Sequence, residues 1–272
     1  GEQDAITEAR FDVFMRDVAP KANRLYVLGD LLHVWLGDAL LARDAYARSI
    51  CARFAELVSR GIRPRIIDPA GKPGAHACSW RAGGMLAPYC EAESAEPVVL
   101  RLGLDAADWW QAQGAEVVRR GTLVLAPSRD RADLDRFARL TQCHAPLDAE
   151  GIAALEPELQ GRFARGLFYA TEAHLNPRAA LLTLRDRLAE QGVAIEPEGV
   201  PSGLTIDARG LAARDQLSDL RGVRGEMLVL RCPEVTLTRT VRMLHPRIPL
   251  YIVPRGDGIY MIGATMLESG GK

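Results

Sequence analysis

The order of the element signals limits the fold of this chain more than any other feature: helix-like and strand-like runs alternate first, and strands crowd the end. Residues 8–18 read as an amphipathic helix with Phe11, Phe14, Met15 and Val18 on one face. Residues 25–28 read as a short strand, 44–60 as a helix closed by Gly61, and 65–67 as a strand with Asp68 at its carboxyl end. A loop over 71–84 follows, then a helix over 98–113. Strands at 122–126 and 167–170 flank a helix over 131–140. Asn176 suits an N-cap, Pro177 the first turn and Gly192 the end of the next helix, whose Leu181, Leu184 and Leu188 keep the helical period. Strands at 204–206, 226–230, 235–242, 250–253 and 259–262 then crowd together, with Asp257-Gly258 as a hairpin signal. This order implies an α/β fold, with a layer of helices and parallel-type strands beside an antiparallel sheet.

The 272 residues suffice for one large domain or two interleaved ones, and 48% hydrophobic residues allow a real core. Lys and Arg total 34 against 35 Asp and Glu, a formal net charge of -1, which argues against a dedicated nucleic-acid or membrane-surface protein. Arg129, Arg131 and Arg136 alternate with Asp130, Asp133 and Asp135, as on a solvated helix face. The cysteines are Cys51, Cys78, Cys90, Cys143 and Cys232. Their odd number and wide spacing suit reduced thiols in a cytoplasmic protein and offer no zinc or disulfide framework. No apolar run is long enough to span a bilayer, and no signal peptide is visible. Residue 1 is Gly rather than Met, which fits a chain that begins inside a longer product or after a trimmed tag.

Two places could carry chemistry. An acid at the end of the second strand of a dinucleotide-binding unit accepts hydrogen bonds from the adenosine ribose, and Asp68 stands at such a place. Taken alone, an Asp before a Pro is first a turn residue. The second place is Gly83-Gly84 within HACSWRAGGMLAP. Paired glycines let backbone approach a flat ligand and permit positive φ, although a plain loop uses them too.

These residues and a series of others in order resemble one family. IIDPAG, HACSWRAGGMLAP, CEAES, GTLVLAP, EPELQGRFARGLFY, EAHLNPRAAL, DARGLAARD, LRGVRGEMLVL, MLHPRIPLYIVPRGDG and MIGATM are similar to the glycine oxidases of thiamine biosynthesis, within the FAD-dependent D-amino-acid oxidase family. The likeness runs from about residue 63 to 268. It implies an FAD-binding Rossmann-like layer, here incomplete, with an antiparallel β-sheet substrate domain. The resemblance assigns 63–125 and 193–225 to the FAD-binding portion and 126–192 and 226–272 to the substrate portion, with 1–62 set apart. It also implies oxidation of glycine, a small D-amino acid or an amine by molecular oxygen, giving imine and hydrogen peroxide. By the same resemblance Asp68 would bind the ribose, Ser79, Ala82, Gly83, Gly84 and Met85 would line the cofactor, and Gly210 would let backbone pass close to it. Tyr251 and Met266 would face the substrate. Tyr251 could donate a hydrogen bond to the substrate carboxylate or simply pack in the sheet. Arg255 could serve the substrate or a surface ion pair. No side-chain base is required, because the cofactor carries the hard chemistry. A homo-oligomer is left open.

Departures from the family are equally concrete. It opens with a strand and G-x-G-x-x-G, whose N–H groups meet the pyrophosphate. Here the first strand runs into Gly29-Asp30-Leu31-Leu32-His33. A carboxylate about 4 Å from a phosphate would cost on the order of several kcal/mol. The family's tail past MIGATM, with the arginine that grips the substrate carboxylate, has no counterpart before Lys272. The run LYVLGDLLHVWLGD in residues 1–60 instead resembles the UDP-2,3-diacylglucosamine hydrolases of lipid A synthesis, which are dimetal phosphoesterases. By that resemblance Asp30 would be a metal ligand, but its companion motifs are missing, and one carboxylate cannot hold two metals. Three readings therefore stand: an FAD-dependent oxidase, a truncated or fused flavoprotein scaffold without turnover, and a metal-dependent phosphoesterase.

Overall fold

The structure is a computed structural model and describes residues 24–29, 56, 59–61, 63–95, 97–193, 195–199, 204–245, 250–263 and 267–268. The chain divides into two compact units, residues 1–76 with 184–220 and residues 77–183 with 221–272. Asp30, His33, Met266 and the expected helix over 8–18 lie outside the described residues.

The first unit carries a sheet of strands Arg24–Gly29, Arg63–Ile67, Ile195–Glu196 and Leu204–Ala208. All its pairings are parallel. In space the last of these strands lies beside the first, followed by the second and the third. Chain order therefore reverses at Arg24–Gly29, which is the switch point where doubly wound sheets open a crevice beyond their carboxyl ends. Within this unit Arg65 pairs with Glu196 across neighbouring strands, Nε donating to Oε1 over 3.0 Å.

The second unit is built on a seven-stranded sheet. From one edge to the other it runs Leu228–Arg231, Ile259–Gly263, Leu250–Pro254, Thr240–Met243, Thr122–Leu125, Arg165–Tyr169 and Ala145–Asp148. Every neighbouring pair is antiparallel except Thr240–Met243 with Thr122–Leu125. Thr122–Leu125 is buried along its whole length because both faces are covered. Val124 packs with Cys90, Leu134, Phe137, Leu167 and Tyr169. Leu123 and Leu125 point the other way, toward Ile152, Leu237, Val241 and Tyr260. That alternation is the two-residue period of a strand. Helix Arg131–Leu140 buries Leu134 and Phe137 on the first face, and helix Ala149–Leu155 buries Ile152 on the second. Each large apolar side chain so covered contributes roughly 1.5–3 kcal/mol.

A second, three-stranded sheet joins Met85–Leu86, Ala173–Leu175 and Val117–Val118, all antiparallel. Helix Pro177–Glu190 leaves its middle strand and starts as its sequence predicts, with the Arg178 backbone N–H donating to Asn176 Oδ1 over 3.1 Å. The helix expected over 98–113 is instead two, Pro97–Gly103 and Ala106–Ala112. Gly103 ends the first where the chain passes Pro88, so closely that a Cβ would lie 2.7 Å from the proline's own. The strand expected over 235–242 is confined to Thr240–Met243. The Asp257-Gly258 turn joins Leu250–Pro254 to Ile259–Gly263 as its sequence predicts.

Candidate functional site

In the first unit, Asp68 directly follows strand Arg63–Ile67 and Gly210 stands two residues past Leu204–Ala208, so both lie at the carboxyl edge of the parallel sheet. The Asp68 carboxylate is held within its own turn. Oδ1 accepts the Ala70 backbone N–H at 2.9 Å, and Oδ2 lies 3.2 Å from His76 Nε2. Its backbone N–H donates to Glu196 O, which ties the turn to the neighbouring strand. Among the described residues, nothing lies within 4 Å of the point where a Gly210 Cβ would project.

In the second unit, the segment 78–85 folds as a short 3-10 turn, Cys78–Arg81, running into strand Met85–Leu86. Ser79 is exposed, and its carbonyl accepts the Ala82 N–H. Gly83 faces Tyr251. A Cβ built on it would lie 2.9 Å from Tyr251 Cε2, 3.1 Å from the Tyr251 hydroxyl and 3.2 Å from Met261 Cε. Gly84 has φ +80°, and a Cβ there would lie 2.2 Å from the Leu175 carbonyl oxygen. Only glycine suits that combination of left-handed backbone and direct backbone contact. Its own carbonyl accepts the Leu175 N–H at 2.9 Å. Met85 continues this contact as the strand partner of His174.

Arg255 fastens this loop from behind. One terminal nitrogen donates to Leu175 O at 3.0 Å and to Asn176 Oδ1 at 3.2 Å. The other donates to Ala82 O at 3.1 Å and Gly83 O at 2.9 Å. Its partners are thus carbonyl and amide oxygens, rather than the carboxylate of a surface ion pair. Burial, with Arg178 nearby, brings the guanidinium down to about 10. Tyr251 is half-buried on strand Leu250–Pro254, and its hydroxyl approaches Met227 Sδ at 3.9 Å. Burial raises the phenol above its ordinary range, with the Glu91 charge adding to the shift, so it stays a donor near neutral pH.

Beside the loop lies a cleft of about 550 Å³. Its lining combines the apolar and aromatic side chains of Trp80, Ala82, Met227, Val229, Ile259 and Met261 with the polar and charged ones of Arg81, Asn176, Arg178, Arg224, Glu226 and Arg255. Of the residues expected to form a site, Ser79, Ala82, Gly83, Gly84, Met85, Tyr251 and Arg255 fall in this unit. Asp68 and Gly210 fall in the other. Sequence reasoning missed Trp80, Arg178, Met227 and Met261 as cleft residues. The alternation in Met227-Leu228-Val229 was the available signal, since it sends Met227 and Val229 to one face. Among the described residues no three His, Cys, Asp or Glu side chains are grouped to hold a metal. No helix among them is long and apolar enough to cross a membrane.

Comparison with known proteins bears on the same stretch of chain. A Rhizobium etli protein assigned as a thiamine biosynthesis oxidoreductase, ThiO, is 51% identical over 221 residues, covering 79% of this chain and 67% of the relative. The crystal structure of glycine oxidase from Geobacillus kaustophilus superposes with a TM-score of 0.62 at 18% identity, over 92% of this chain and 73% of that one, and so shares the fold. A short segment is similar to the UDP-2,3-diacylglucosamine hydrolase of Ralstonia nicotianae, 42% identical over 57 residues and 21% of each chain. The family of FAD dependent oxidoreductases matches residues 50–272, which takes in the glycine loop, the tyrosine strand and three of the four strands of the parallel sheet, but not Arg24–Gly29. With four fifths of its length inside that match, the chain belongs to the FAD-dependent oxidoreductase family.

Proposed function

We propose that this chain is an oxidase of glycine or another small D-amino acid or amine, working with FAD and molecular oxygen, releasing imine and hydrogen peroxide, and serving thiamine biosynthesis. The observation that carries the reading is the contact of Gly83 with Tyr251 beside the cleft. It sets a glycine backbone and a phenol donor together, next to the cleft, in one unit.

The residues present fit FAD in the regions described. In one unit, Asp68 at the carboxyl edge of a parallel sheet, with Gly210 at the same edge, suits an adenosine ribose. In the other, the cleft lies within the range of about 300–1,000 Å³ common to small-molecule sites and is lined in part by apolar side chains. Ser79, Ala82, Gly83, Gly84 and Met85 would hold the ring system. When bound, FAD supplies the two-electron acceptor for the substrate and passes the electrons to oxygen. The chain's own residues orient and desolvate. Gly84, locked to Leu175, fixes the height of the loop. Tyr251 keeps its proton and can donate it to a substrate carboxylate. Met227, Val229 and Met261 keep water from the apolar part of the cleft lining. Met266 would stand on the substrate side, as the resemblance implies.

The absorbance spectrum of the purified chain tests this directly, before and after incubation with FAD and desalting. A retained flavin band, with peroxide formed from glycine, sarcosine or D-alanine, is the expected result. Protein that stays colourless and yields no peroxide would overturn the reading. Phosphate release from a nucleotide-sugar lipid would favour the hydrolase resemblance instead.

A further inference from the structure

We infer that Arg178, stacked on Trp80 and close to Arg255, is a binding contact for a small anion in the cleft. The inference rests on the oxidase reading only where it names a substrate carboxylate as one of two possible occupants.

Four guanidinium groups, those of Arg81, Arg178, Arg224 and Arg255, and one carboxylate line the cleft. The carboxylate, Glu226, already lies 2.8 Å from Arg224. Arg255 has both terminal nitrogens committed to the oxygens of Ala82, Gly83, Leu175 and Asn176. Arg178 differs from both. Its guanidinium carbon stands 5.7 Å from the Trp80 ring centroid, and only its Nε is engaged, donating to Trp80 O at 3.4 Å. Among the described residues no carboxylate pairs with it.

Two guanidinium charges close enough to perturb each other, neither paired with a carboxylate among the described residues, make an unfavourable arrangement that an anion relieves. Stacking on an aromatic face holds a guanidinium plane in place and leaves its edge free for a two-point contact with a carboxylate or phosphate. Asn176, at the start of the same helix, presents its side-chain oxygen to Arg255 and so fixes the spacing of the two arginines. The chemistry recognised is that of a compact oxyanion. Two sources could supply it: the carboxylate of a small substrate, or a phosphate of the cofactor.

Trp80 reports on its neighbour. The purified chain, without added flavin, would be titrated with sodium acetate and separately with inorganic pyrophosphate at constant ionic strength, following tryptophan emission. The expected result is a saturable change that is absent in Trp80→Phe and at least about tenfold weaker in Arg178→Gln, the loss of a charge-assisted contact. A response to acetate in preference to pyrophosphate assigns the contact to substrate, and the opposite preference assigns it to the cofactor's phosphates. No saturable change with either anion, or equal affinity in Arg178→Gln, overturns the inference. Arg178 is exposed, so circular dichroism should show the variant folded. Because this titration uses no flavin, its outcome is separate from the test of oxidase activity. Anion binding without flavin uptake would leave this contact standing while the oxidase reading falls.

Discussion

Arg255 donates to the Gly83 carbonyl at 2.9 Å while its other terminal nitrogen reaches Leu175 O at 3.0 Å, so one guanidinium ties the glycine loop to the start of helix Pro177–Glu190. A planar fork with several fixed donors can bridge two backbone segments in this way, whereas an ammonium on a flexible stem cannot. Arg255→Gln should therefore cost about 2–4 kcal/mol, because several acceptors lose a charged donor at once. Arg255→Lys should recover only part of that loss. Denaturant melts of the three proteins check the ranking, and flavin retention after desalting should fall in the same order. A lysine variant as stable as the parent would show that charge alone suffices.

The two glycines differ in kind, and their alanine variants should differ too. At Gly83 a Cβ meets the rim of the Tyr251 ring and the end of Met261, side-chain atoms that can give way. At Gly84 it meets the Leu175 carbonyl oxygen, which is backbone, and φ is +80°. Gly84→Ala should be the more destabilising, by roughly 2 kcal/mol or more, since a left-handed non-glycine residue alone costs about 1–3 kcal/mol. Gly83→Ala should spare stability but crowd Tyr251 and weaken flavin or substrate binding. Thermal melts of both variants decide the matter, and equal loss would remove the distinction.

The local features of the fold were legible in the sequence. Asn176 caps its helix, Asp257-Gly258 turns its hairpin, and Gly83-Gly84 forms a close-approach loop because each depends on a few consecutive residues. What depends on distant partners was not legible. Arg255 reads as a surface charge until the chain brings it to carbonyls 79 to 173 positions away. Direction of pairing was hidden as well. Thr122–Leu125 and Thr240–Met243 are short buried runs, and nothing in such runs tells a parallel neighbour from an antiparallel one. Asp68 was placed correctly at a strand end, and its side chain makes the turn contact with Ala70 that its sequence also predicts.

Glu156 should be among the most sensitive positions outside the cleft. It is fully buried, yet it carries no orphaned oxygen. Its carboxylate accepts from the Thr238 backbone N–H and hydroxyl, the Arg239 backbone N–H and Arg239 Nε. Arg239 in turn donates to Arg120 O and Leu155 O. Removing one partner strands the other's charge in a low-dielectric interior. Glu156→Ala should therefore cost about 3–5 kcal/mol. Glu156→Gln, which keeps the shape but can accept at only one oxygen, should also be destabilised. The double variant with Arg239→Met should recover part of the loss, because no buried charge is left alone. Urea unfolding of these variants and of Arg239→Met alone tests this, and strictly additive losses would mean that the pair is not coupled.

His174 should make the second unit less stable as the pH falls below the ordinary histidine range. It is buried on strand Ala173–Leu175, with Nδ1 unpartnered among the described residues. Burial, with Arg255 and Arg120 nearby, lowers its pKa from 6.5 to about 4. The unfolded chain therefore binds a proton near pH 6.5 that the folded one refuses until about pH 4. Between those values the unfolded state holds more protons, so stability must fall as the pH falls, by on the order of 3 kcal/mol at most. Glu172 slopes the other way. Burial raises its carboxyl above the ordinary range, so the folded state keeps that proton longer and stability falls as the pH rises past the usual carboxylate value. Comparing the parent with His174→Gln across pH 4 to 6.5 isolates the histidine, because Glu172 is common to both. The parent should lose stability toward pH 4 more steeply than the variant, and parallel curves would show that the imidazole takes up its proton as readily in the folded chain as in the unfolded one.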